Sequence, residues 1–259
     1  MFSLLRSEWF CVRKSTAVKI TLLIVTALSV FMGVYMLKDD MYDVYVNSEN
    51  QYLLYGGGNL MSQMGDATAC LLVVSLLSGW LIGESFENRT IQGAVSFGKS
   101  RTKVYLAKVT MFLLASSFFC LVLWFGSCIP VFAENGIGTA ESVGNLCRIS
   151  YLAGMVISGI LAYMSLFSVC AVIGFFLQKT GMAIAFSMIA LVFGVRIIEL
   201  LVPQALQEFL CYTPLGLYRE VLTVHVEWAD MIRTGCLGLV WTAAICGIGL
   251  WNFKRTELK

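Results

Sequence analysis

The sequence predicts an all-α integral membrane protein: six transmembrane helices, an N-terminal interfacial helix, an outer helical hairpin before the last span, and both termini in the cytoplasm. Three observations carry that expectation. Six apolar runs, at about residues 18–37, 67–83, 109–132, 149–177, 182–202 and 231–253, are each at or near the ~20 residues a helix needs to cross the hydrocarbon core. Of 259 residues, 58% are hydrophobic and only 13% charged, far from the balance of a soluble domain. Charge is also sorted. With both ends inside, 13 of the 18 Lys and Arg are cytoplasmic: Arg6, Arg13, Lys14, Lys19, Arg89, Lys99, Arg101, Lys103, Lys108, Lys179, Lys254, Arg255 and Lys259. Of the 16 acids, only Glu8, Glu84, Glu87 and Glu257 join them. A Lys/Arg bias in short loops sets orientation, and a bacterial plasma membrane is the expected location.

The elements follow in order. Residues 1–15 read as an amphipathic helix in the inner interface, with Phe2, Leu5, Trp9 and Val12 at three- and four-residue steps and Arg6, Glu8, Arg13 and Lys14 elsewhere on the wheel. The polar stretch before Val18 runs into a full span, so no cleaved signal peptide is expected. Lys19, one turn into that span, snorkels back to the cytoplasmic surface. Residues 38–66 form an acidic, tyrosine-rich outer loop, in which Gly56-Gly57-Gly58 reads as a flexible break. Ser75, Gly79 and Gly83 then put small residues on one face of the second span, which is expected to pack on another span of the same chain in preference to forming a dimer seam.

Residues 84–108 are the largest cytoplasmic loop, and 133–148 a short outer one. The uncharged run 149–177 is longer than a crossing requires and should tilt, kink or project. After a tight inner turn, the fifth run carries Arg196 and Glu199 late. Residues 203–230 read as the outer hairpin, broken at Pro214, and the last span is anchored inside by Lys254 and Arg255. Six spans leave too little chain for a separate soluble catalytic domain.

Motifs that resemble chemistry mostly dissolve in context. Gly93-Ala-Val-Ser-Phe-Gly98-Lys99-Ser100 matches the P-loop pattern, but a working P-loop follows a buried strand and here the preceding residues are polar and lie just below a span. ATP binding by this chain is therefore not expected. Asn88-Arg89-Thr90 is a glycosylation sequon on the wrong side of the membrane. His225 is the single histidine, so neither a metal site nor Ser-His or Cys-His catalysis is expected. Six cysteines (Cys70, Cys120, Cys128, Cys170, Cys236 and Cys246) lie in apolar runs and read as small hydrophobes. Cys11 is cytoplasmic, and pairing of Cys147 with Cys211 outside stays open. Arg196 and Glu199 share a helical face, either pairing near the outer boundary or lining the outer mouth of a substrate path. No acid or histidine falls in mid-span, which argues against a proton- or sodium-driven carrier.

Four stretches together resemble the type-2 ABC exporter permease. They are Glu8-Trp9-Phe10-(x2)-Arg13-Lys14-Ser15; Glu87-Asn88-Arg89-Thr90-Ile91, similar to that family's E-N-G-T-I with Arg89 in the glycine's place; Ser100-Arg101-(x3)-Tyr105-Leu106-(x)-Lys108; and the basic tail Phe253-Lys254-Arg255-(x)-Glu257. The resemblance implies a non-catalytic membrane subunit with no cofactor of its own. It would pair with a second permease subunit and with a cytoplasmic ABC ATPase that carries ATP and Mg. It implies coupling to that ATPase through Glu84, Phe86, Glu87, Thr90 and Ile91, with Phe97 as a further apolar candidate. Arg89, Lys99, Arg101, Lys103 and Lys108 would contact ATPase and, above all, anionic lipid. The implied cargo is amphipathic, such as an antimicrobial peptide. The competing expectation is a non-transporting membrane scaffold or sensor that binds a ligand at its outer loops.

Overall fold

The computed structural model describes residues 2–37, 55–137, 148–194, 197, 212–220 and 227–255. Apart from short turns these are helical. Helix α1 is Phe2–Lys14 and α2 is Thr16–Met36, separated at Ser15, whose hydroxyl accepts a hydrogen bond from the Val18 amide and so caps α2. Helix α3 is Gly56–Gly65. Asp66 breaks the chain there, and its Oδ1 accepts from the Thr68 amide at 3.0 Å to start α4, Ala67–Glu87. Helix α5 is Thr90–Ser96, α6 is Arg101–Asn135 and α7 is Ile149–Leu177. Helix α8, Thr180–Phe193, is followed by a short turn of helix, α9, at Leu217–Glu220, and by α10, Trp228–Arg255.

Five of these (α2, α4, α6, α7 and α10) are long and apolar enough to cross a membrane. The chain is thus a multi-pass α-helical membrane protein. The fifth apolar run is described as helix α8, eight α-helical residues followed by six in a π turn, which at 1.5 Å per residue spans about 21 Å. The rest of that run, including Arg196 and Glu199, lies outside the described residues, as do Cys147, Cys211, His225 and most of the outer hairpin.

Helix pairs approach through small residues. On α2, Ser29 and Gly33 face Gly126, Ser127 and Pro130 of α6, where a Cβ on Gly33 would come within 3.1 Å of the proline ring. On α4, the Ser75–Gly79–Gly83 face packs on α8 of the same chain. A Cβ on Gly83 would stand 2.7 Å from the Thr180 Cα, and one on Gly79 would stand 2.9 Å from the Thr180 carbonyl oxygen. Helices α7 and α10 run parallel, with Tyr151 against Trp228 at their starts, Gly238 against Leu161 midway and Phe175 against Phe253 at their ends.

Two expectations are corrected. The glycine triplet is no flexible break: it is the buried first turn of α3. A Cβ on Gly56 would overlap the Phe132 ring, and the Gly56 and Gly57 amides donate to the carbonyls of Gly136 and Ile137. The glycines allow backbone to touch backbone. Residues 84–108 are likewise not a loop. Glu84–Glu87 ends α4, Arg101–Lys108 opens α6, and only the turns flanking α5 are irregular.

Candidate functional site

Charged and aromatic groups converge at the end of the bundle where α4 finishes and α6 begins. Phe86 closes α4, Tyr105 lies in the first turns of α6, Phe175 in the last of α7 and Phe253 in the last of α10. Their rings form one layer, with centroids 5.7 Å apart for Phe86–Phe175, 4.6 Å for Tyr105–Phe175 and 5.3 Å for Phe175–Phe253. The Tyr105 hydroxyl donates to the Cys246 carbonyl at 3.1 Å, so the ring's polar end is satisfied within α10. Four helices are thereby joined through ring contacts, edge to face among the phenylalanines and tilted at Tyr105.

Helix α5 hangs from this layer. Asn88 and Arg89 reverse the chain after α4, and Arg89 adopts the left-handed conformation at φ 54°, which a side chain enters only at a cost of ~1–2 kcal/mol. A glycine would sit there freely, and glycine is what the resembled motif carries. The Thr90 hydroxyl donates back to the Ser85 carbonyl at 2.9 Å and pins the turn. Ile91 is buried against the core, whereas Arg89, Thr90 and Ser96 face outward. Phe97 is 89% exposed, ahead of a second left-handed residue, Gly98 at φ 81°.

Three polar contacts tie distant helices to this end. Glu87 accepts from the Thr180 amide at 2.9 Å and from its hydroxyl at 2.8 Å. Lys179, the residue before α8, offers no side-chain cap of its own, so a carboxylate from α4 satisfies the start of α8. Lys108, only 7% exposed, forms an ion pair with Glu8 of α1 at 2.6 Å. Arg101 donates to the Lys254 carbonyl at 3.3 Å near the end of α10.

The expected coupling residues therefore divide. Glu84, Glu87 and Thr90 are at the surface, but Glu87 is engaged by Thr180 and Glu84 accepts from Asn88 at 3.4 Å. Phe86 and Ile91, at 4% and 2% exposure, are turned inward and offer no apolar surface to a partner, a correction that follows from their place in the core. Phe97 does offer one. Among the basic residues, Arg89, Lys99 and Lys103 are exposed, and Arg101 is half-buried beside α10. Lys108 is a correction: it pairs with Glu8 inside the protein instead of facing lipid, because an ammonium this buried needs a partner. Thr180, Phe175 and Glu8 were missed as parts of the site. The available signal was Glu8, an acid in an otherwise basic helix, and Lys108, a cation at the edge of an apolar run.

The P-loop-like octapeptide holds no phosphate cradle. Gly93 to Ser96 are helical, and the Phe97, Gly98 and Lys99 amides donate to Gly93, Val95 and Ala94 carbonyls, so the donors a phosphate would use are occupied. Among the described residues no group of three His, Cys, Asp or Glu could hold a metal.

No protein-family model matches this chain. Nor does any curated protein match it. The site therefore stands on its own geometry.

Proposed function

We propose that this chain is the permease subunit of a bacterial ATP-driven exporter of the type-2 ABC kind. It would act in the plasma membrane as one of two permease subunits over a separate cytoplasmic ATPase, and move an amphipathic cargo such as a peptide. The observation that carries the reading is how α5 is mounted. Its outward side presents Arg89, Thr90 and Phe97 beside Lys99 to whatever lies beneath the membrane, while Ile91 is buried in the core and Phe86, just before α5 in the chain, belongs to the aromatic layer of α4, α6, α7 and α10. A push on α5 reaches those helices through packed rings and reaches α8 through Glu87. Such a lever suits an external motor. Among the described residues the spans carry no carboxylate or imidazole away from their end turns, which is consistent with energy supplied from outside.

Two features support six crossings with both ends inside. The Glu8–Lys108 pair and the Arg101–Lys254 contact hold α1 and the end of α10 at one end of the bundle, the end rich in Lys and Arg. Helix α7 finishes at that end, and α10 starts at the other, where Trp228 meets Tyr151. The intervening chain has to recross, and α8 begins the crossing.

The test is purification of the tagged protein in mild detergent, with partners identified and ATPase activity assayed. An ABC ATPase is expected to co-purify and to be lost with the double variant Glu84→Lys/Phe97→Asp, whose residues are exposed. Glu87 is unsuitable for charge reversal because α8 depends on it. A pure oligomer without ATPase in several detergents would overturn the reading in favour of a scaffold or sensor.

A further inference from the structure

Helix α1 has two faces, and the fold divides its apolar residues between them. Leu5, Glu8 and Val12, at three- and four-residue steps, are half-buried against the bundle, with Val12 packed on the core. The Glu8–Lys108 ion pair at 2.6 Å fixes the rotation of the helix about its axis. Trp9 and Phe10 therefore point outward, 58% and 56% exposed, instead of continuing the stripe of Leu5 and Val12. Arg6, Arg13 and Lys14 are exposed with them. Arg6, Phe10 and Lys14 follow four-residue steps, and Arg6, Trp9 and Arg13 steps of three and four, so each ring has a cation one turn to either side. The Lys14 ammonium lies over the Phe10 ring, 4.7 Å from its centre.

Charge on this face is uncompensated. Glu8 is the one acid in the helix, and Lys108 neutralises it. Among the described residues, Arg6, Arg13 and Lys14 form no ion pair. Position decides which partner such a face meets. Ser15 is extended, at ψ 121°, so α1 leaves the axis of α2, and it meets α6 at Lys108. Helix α6 has 35 residues and is about 52 Å long, about 22 Å more than a ~30 Å hydrocarbon core. Shared between the two ends, the excess leaves about 11 Å on each side. Lys108 stands about 10 Å from the start of α6. Helix α1 thus lies at the boundary between hydrocarbon and water, where aromatic rings sit at headgroup level and cations meet anionic lipid.

We propose that the exposed face of α1 binds acidic phospholipid. Arg6, Arg13 and Lys14 take the phosphates of the adjoining leaflet, and Trp9 and Phe10 enter between the acyl chains beneath them. A zwitterionic lipid brings its own cation to this surface and gains less from it. The site does not depend on the permease reading.

The test uses the full-length protein in nanodiscs of phosphatidylcholine containing a trace of phosphatidylglycerol or phosphatidylcholine with a diazirine beside the ester groups. After photolysis, adducts are mapped by peptide mass spectrometry. On α1 the phosphatidylglycerol tracer is expected to exceed the phosphatidylcholine tracer by about fivefold or more, the factor equivalent to the ~1 kcal/mol that one Lys or Arg gains near an anionic surface. Salt at about 1 M, which shortens the screening length to ~3 Å, should bring that ratio towards one. The triple variant Arg6→Gln/Arg13→Gln/Lys14→Gln should do the same without lowering the unfolding temperature, since all three side chains are exposed. Trp9→Ala/Phe10→Ala should reduce adducts from both tracers and keep the ratio. Equal labelling of α1 by the two tracers at low salt would overturn the site. So would a preference that survives both high salt and the triple variant, which would place it on another element. A lack of α1 adducts from either tracer would overturn it too, by taking the helix off the bilayer surface.

Discussion

At the scale of single residues, the inner end shows what an apolar setting demands of a charge. Lys108 is retained because Glu8 neutralises it. Lys108→Met should strand the Glu8 carboxylate and cost about 2 kcal/mol, below the ~3–5 of a fully enclosed pair, since the Glu8 side chain keeps 21% exposure. Adding Glu8→Gln should recover most of that loss, and the double-mutant cycle, followed by thermal unfolding in detergent, gives the coupling directly. Arg89 shows the opposite case, a side chain tolerated in a conformation that suits glycine. Arg89→Gly should raise stability by about 0.5–1 kcal/mol by relieving the left-handed strain, although it removes an exposed cation. A drop in stability would mean that the guanidinium has a role beyond the turn.

At the scale of elements, the same residue type does two jobs. A methyl on Gly83 meets the backbone of Thr180, whereas one on Gly93 meets nothing within 4 Å. Gly83→Ala should therefore destabilise the protein by about 1–3 kcal/mol, and Gly93→Ala in α5 should stabilise it by about 0.5–1 kcal/mol, both read by chemical or thermal unfolding. The long helices were legible because length and hydropathy are local properties: the span of α7 coincides with its uncharged run of 29 residues. The small-residue face of α4 was legible for the same reason, as a four-residue spacing. The partners were not. Whether Gly56 bends or packs depends on Phe132, more than seventy residues along the chain. Phe86 and Ile91 looked like surface groups because their apolar neighbours, Phe175 and Phe253 among them, arrive from helices that sequence cannot align. The start of α6 was read eight residues late because its first two turns carry charges, a pattern that marks a loop in water but equally a helix emerging from a membrane.

At the scale of the whole molecule, the arrangement of ends makes a direct prediction. Cys11 is exposed on α1, which is latched to the same end of the bundle as the C-terminal turn of α10. In a variant retaining Cys11 alone, a membrane-impermeant maleimide should label inside-out vesicles and spare sealed cells. The reverse pattern would invert the proposed topology. The bond between Glu87 and Thr180 carries a further consequence, one of timing. The two residues are 93 positions apart, so during synthesis the carboxylate is in place well before the helix it caps has been made. The chain emerges in one direction, so α4 is made before α8. Helix α4 therefore presents the cap before α8 exists, and the first turn of α8 finds the partner for its Thr180 amide already made.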